Sequence, residues 1–183
     1  MSSIIKVDTI QTAAGGTPTA ADLGLNVTGG VLQVVQTPLT AFSSYSVASQ
    51  GKSSNVISAS ITPTSTSSKI LISCHLYIDT TTVPSGTFLN VDGTDIFIAD
   101  ASGIRRRATT VTYHDASRLD TIECTSFQYL HSPSSTSSLT YGVKVGHGSS
   151  VTQTVSVNRT IDSTDNAKIM NPTSSLTLME IAG

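Results

Sequence analysis

Ser174-Ser175-Leu176-Thr177-Leu178-Met179-Glu180-Ile181-Ala182-Gly183 closes the chain. It reads as a β-strand running to the last residue. Such a strand needs a sheet to pair with, because its N–H and C=O groups are otherwise unsatisfied. The stretch therefore predicts an all-β body into which this segment is locked. Side chains alternate along a strand, so Leu176 and Leu178 point one way and Met179 and Ile181 the other. One face is expected to pack inside the fold. The other leaves Met179 and Ile181 available to a neighbouring subunit.

Upstream, Lys69 to Ile78 carries the clearest alternation, with Ile70, Ile72, Cys74, Leu76 and Ile78 on one face. Ile57, Ala59 and Ile61 share a face, as do Leu139, Tyr141, Val143 and Val145. Phe127 and Tyr129 share a face opposite Cys124 and Ser126. Val31 to Gln36 is almost continuously apolar, which predicts burial on both faces, with Thr37-Pro38 ending the strand. Residues 40–53 form a polar connection where one strand could add at an edge. Asp92-Gly93 predicts a hairpin between Phe88–Val91 and Ile96–Ala99. Ile104–Tyr113, Val151–Val157 and the terminal segment complete about nine or ten strands separated by turn signals. No stretch has a helical period. The spacing predicts an antiparallel β-sandwich, most simply a jelly roll. An immunoglobulin-like sandwich is second, because its core Trp has no counterpart here.

Residues 1–30 differ from the body at 31–183. They are rich in Gly, Ala and Thr and too poor in large apolar residues to form a core. Ile4, Ile5, Val7, Ile10, Leu23, Leu25 and Val27 nevertheless recur through them, which favours an extended arm that orders on a partner particle. Gly29-Gly30 reads as a flexible joint.

Charged residues are 12% of the chain, about half the usual share, and Ser and Thr dominate the polar positions. The net charge of −2 offers no basic field for nucleic acid. No apolar run reaches the length of a membrane span. The N-terminus lacks the basic and apolar regions of a signal peptide, so synthesis in a cytoplasm is expected. The two cysteines, Cys74 and Cys124, read as buried thiols, with a disulfide as the alternative.

No catalytic motif or cofactor signature is visible. His75, His114, His131 and His147 lack metal-ligand spacing, and no Ser sits in a Gly-x-Ser-x-Gly elbow. Most Asp residues fall at turns, where Asp is an ordinary turn former. The sequons at Asn26 and Asn158 read as chance matches. Arg105-Arg106-Arg107 is the one basic cluster. If it lay in a strand, Arg105 and Arg107 would share a face and suit an ion-pair site at a subunit interface.

Ile5-Lys6-Val7-Asp8-Thr9-Ile10-Gln11, Leu25 to Gln36 and the terminal decapeptide resemble small virion structural proteins of tailed phages, especially cyanophages. Ser67 to Ile72 and Arg105 to Ala108 are similar in a looser way. The resemblance implies a tail-fibre-like homotrimer. Its N-terminal arm would attach to other virion proteins, and its β-head would face outward for host adsorption. A capsid decoration protein is the variant reading. A glycan-binding module is the other class, with loops at 79–87, 114–121, 131–138 and 146–150 as contact candidates for a host surface glycan.

Overall fold

A computed structural model describes residues 9–12, 14–18, 28–80, 83–113, 121–162, 164–165 and 167–183. The described residues contain strands and connections but no helix. The strands are β1 (Val31–Leu39), β2 (Ser43–Val47), β3 (Lys52–Ile61), β4 (Lys69–Thr80), β5 (Pro84–Val91), β6 (Thr94–Asp95), β7 (Thr110–Tyr113), β8 (Glu123–His131), β9 (Leu139–His147), β10 (Gln153–Val157) and β11 (Ser174–Ile181).

Two antiparallel sheets face each other as a β-sandwich. The first runs β1-β11-β4-β8, with β10 and β2 continuing beside the second half of β4. The second runs β3-β9-β5, after which β5 pairs β7 near its start and β6 near its end. β4 is the hub: one edge holds β11 and then β10, and the other holds β8. Its alternation explains the position. Ile70, Ile72, Leu76 and Ile78 are completely buried and Cys74 nearly so. Each large apolar side chain so buried contributes about 1.5–3 kcal/mol. Leu176, Leu178, Leu89, Tyr141 and Val143 fill the same core from both sheets.

The terminal segment is an interior strand, bonded to β1 on one side and β4 on the other. Its two faces divide as the alternation predicts. Leu176 and Leu178 are buried, and Met179 and Ile181 are half-exposed on the outside.

Several local expectations are corrected. β1 is not buried on both faces. Among the described residues it pairs β11 alone, at the sheet margin, and Val31 and Val34 are 56% and 55% exposed. Nor does Pro38 end it: the ladder continues to Leu39, because a margin strand tolerates a residue without an N–H. After the Asp92-Gly93 turn, with φ of 48° and 85°, only Thr94–Asp95 pairs back. Ile96 still donates its amide to the Leu89 carbonyl at 2.8 Å, but residues 97–99 leave the sheet, and Phe97 (φ 51°) stacks on Tyr129 with ring centroids 4.5 Å apart. The 79–87 stretch is mostly strand, with Asp79, Thr80, Ser85 and Thr87 buried. Nor is His147 an exposed residue of a 146–150 loop. It ends β9 in the interior, its Nε2 2.9 Å from the Val47 carbonyl. Cys74 is buried as expected, but Cys124 lies on the outer face of β8, and both are free thiols.

Antiparallel pairing sorts the connections between two ends. Gly30, the end of β11, the start of β4 and the end of β8 lie together. Leu39, Thr80, Tyr113, His147 and Val157 end their strands at the opposite pole.

Candidate functional site

The outer face of the first sheet carries one continuous apolar row. Val34 is opposite Met179, Met179 opposite Leu71, and Leu71 opposite Leu130. Cross-strand partners share a face, so these four side chains form a band crossing β1, β11, β4 and β8. Four strands spaced about 4.8 Å apart make it about 15 Å wide. Val34 and Leu130 are 55% and 46% exposed, and Met179 and Leu71 are half-buried. Val31 and Ile181 extend the band toward the arm, where Lys69, opposite Ile181 on β4, ends it. The adjoining outward row is Gln36, Thr177, Ser73 and Gln128, and the next is Pro38, Ser175, His75 and Ser126. None of these carries an acidic, lysine or arginine side chain. An exposed sheet face ordinarily carries charges that discourage association. A face depleted of charge around an apolar centre has the composition of an interface core.

The opposite side of the sandwich has its own exposed apolar set. Val111 and Tyr113 project from β7 at 67% and 63% exposure, and Ile104 is fully exposed. Beside them lies the arginine run, which is a loop and not a strand. The shared-face geometry expected for Arg105 and Arg107 is therefore absent. Arg106 is instead the anchor. Its guanidinium donates to the His147 and Gly51 carbonyls and lies over the Phe88 ring. Arg107 Nε donates to the Ala99 carbonyl, and Arg105 is exposed. These contacts fold the loop against the second sheet, so Arg105 and Arg107 lie on the side opposite Met179 and Ile181.

At the arm root, the Gly29 amide donates to the Ala182 carbonyl and the Ala182 amide to the Gly30 carbonyl, both at 2.8 Å. The β1–β11 ladder thus runs through the expected joint, which is tied down at Gly29 and Gly30. Of the arm residues, Ile4, Ile5, Val7, Leu23, Leu25 and Val27 lie outside the described residues, and Ile10 is 53% exposed. His114 and most of the 114–121 connection also lie outside them.

Beside the root is a feature that sequence reasoning missed. Glu180 is fully buried on the core face of β11. Its carboxylate accepts from Gln33 Nε2 at 2.6 Å, from the Thr64 amide at 2.6 Å and from Thr64 Oγ1 at 2.7 Å. Burial resists its ionisation, but the hydrogen bonds from Gln33 and Thr64 outweigh that and hold the carboxyl below its ordinary range. The buried Ser68 hydroxyl is close enough to favour the carboxylate without completing a hydrogen bond of good geometry. The signal was in the alternation, which puts Glu180 in phase with Leu176 and Leu178.

Asn158 is also fully buried, at φ 57°. Its Nδ2 donates to the Leu39 carbonyl at 2.7 Å and the Ala41 carbonyl at 3.0 Å, which removes it as a glycan acceptor in the folded protein. His131 Nδ1 lies 2.8 Å from the Tyr141 hydroxyl, and its burial lowers its pKa. No family model matches the chain, and no curated protein matches it either.

Proposed function

We propose that this chain is a structural component of a phage virion, a tail-fibre-like homotrimer that attaches through residues 1–30 and turns a jelly-roll head toward the host. The observation that carries the reading is the polarity of the sandwich. The arm root and the end of β11 are bonded together at one pole, and the strand ends flanking the 114–122 and 158–173 connections lie at the other. An attached protein that contacts a second surface needs that separation.

Strand order supports the jelly roll over the immunoglobulin arrangement. The order β1-β11-β4-β8 faces β3-β9-β5-β7, so the chain crosses between sheets in the pattern of two Greek keys. The trimer rests on the two unlike surfaces. A ring of copies in head-to-tail contact buries two different patches at each interface. The Met179–Ile181 face and the Ile104–Arg105–Arg107 side are two unlike exposed patches of that kind.

Deleting residues 1–28 from the gene within the phage genome tests the attachment. Particles lacking the protein, with the purified truncated head still oligomeric, support the arm. Unchanged occupancy on particles overturns it. Labelling the protein on intact particles separates a tail position from a decoration of the shell.

A further inference from the structure

Phe42 and Arg159 stand together at the pole away from the arm. Phe42 is 56% exposed, and the Arg159 guanidinium lies over its ring, 5.1 Å from the centroid. Both are held from beneath by Asn158. Its side-chain amide binds the Leu39 and Ala41 carbonyls, and its Oδ1 accepts from Ser174 Oγ at 2.5 Å. Arg159 therefore follows a clamped residue, and Phe42 follows a clamped carbonyl. The pair is set in place before any ligand arrives, which removes an ordering cost from binding.

Arg159 divides two recesses. One of about 380 Å³ is lined by Phe42, Asp162, Asp165 and Asn171 among others. The other, of about 430 Å³, is lined mainly by hydroxyls and amides, including Ser44, Thr154 and Ser156. Both volumes fall in the range of small-molecule sites. The linings interleave donors with acceptors and set one guanidinium against two carboxylates. An anion in the first recess would meet Asp162 and Asp165. A lipid or apolar peptide would leave the polar lining unpaired. For a divalent cation, no three His, Cys, Asp or Glu side chains come together among the described residues. A neutral polyol satisfies the interleaved pattern without adding charge, and its C–H groups can pack against the exposed Phe42 ring.

We propose that this surface binds a neutral glycan chain, with adjacent sugars seated in the two recesses on either side of Arg159. The assignment rests on the reading of this pole as the host-facing one. The test is an array printed with dextran, mannan and galactan as neutral probes and polygalacturonate as the acidic one. It is probed with the full chain and with Phe42→Ala, Phe42→Leu and Arg159→Ala. Phe42→Leu keeps apolar bulk without the ring, and thermal melting monitors the fold of each variant. Binding to at least one neutral probe is expected, weakened about tenfold or more in folded Phe42→Leu and Arg159→Ala, the scale of losing one aromatic or charged contact. No binding to neutral probes, binding confined to polygalacturonate, or undiminished binding by the folded variants overturns the site. Particle occupancy is scored separately. Occupied particles without glycan binding sink the glycan site alone, and glycan binding by a protein never found on particles sinks the appendage reading alone.

Discussion

Gln33 and Glu180 face each other across the β1–β11 pair, and the Gln33 amide donates to the Glu180 carboxylate at 2.6 Å. One contact thereby ties the margin strand that follows the arm to the interior strand that ends the body. It also brings a charge into the sandwich, where its donors must stay in place.

Replacing that charge tests its contribution. Glu180→Gln keeps the shape but turns an acceptor into an amide facing the Gln33 amide. We expect a loss of about 1.5–3 kcal/mol at neutral pH, the range for hydrogen bonds to a charged group. Urea unfolding measures it. A loss below a few tenths would mean the carboxylate contributes nothing net.

The same group predicts an acid response. Its folded pKa is depressed, so its contribution is present above the ordinary Glu value of about 4.3 and is lost as pH falls through the lower folded value. Wild-type stability should fall more steeply than that of Glu180→Gln between about pH 5 and pH 3. Parallel pH profiles for the two proteins would contradict the assignment.

Asn158→Asp should be among the most damaging single-atom changes. It replaces a donor to two carbonyls with an acceptor in a fully buried place, at a cost of about 3 kcal/mol. Thermal melting checks this. A variant that melts within a degree or two of wild type would show that the clamp is dispensable.

Val34→Lys with Met179→Lys should leave the fold intact, because both side chains point outward. If wild type forms the proposed oligomer, sedimentation should then report monomer for the variant. Arg105→Ala with Arg107→Ala weakens the same assembly from the other side if those residues cross the interface. Persistence of the oligomer in both double variants would remove both surfaces from the contact.

The thiols should react unequally. Burial, reinforced by the nearby Cys124, pushes Cys74 up to about 12, so it carries almost no thiolate at pH 8. Cys124 is exposed. Alkylation of the native protein followed by mass spectrometry should label Cys124 first, and equal labelling would contradict the burial of Cys74.

Strands that alternate between a filled core and open solvent were legible from residues alone. Lys69–Ile78, Leu139–Val145 and the terminal segment kept their faces because burial enforces a period of two. The misread stretches depended on distant partners. The apolar residues of Val31–Val35 do not reveal that one face is left uncovered at a sheet margin. Arg105–Arg107 lies in a loop because Arg106 reaches the His147 and Gly51 carbonyls, far away in sequence. Phe97 abandons the hairpin for a ring on β8. Of the candidate surfaces, Met179 and Ile181 could be placed from alternation, while the Val34–Met179–Leu71–Leu130 row required the register of four strands.

The bonding of Gly29 and Gly30 to Ala182 has a mechanical consequence. If residues 1–30 are anchored and the opposite pole holds a ligand, as proposed, tension between them would enter the head along the axis of β1. The hydrogen bonds joining β1 to β11 lie across that axis, so they are loaded in shear and resist together. A strand pulled sideways would instead peel one bond at a time. On the proposed attachment, the head would carry a steady pull without unravelling at Gly29 and Gly30.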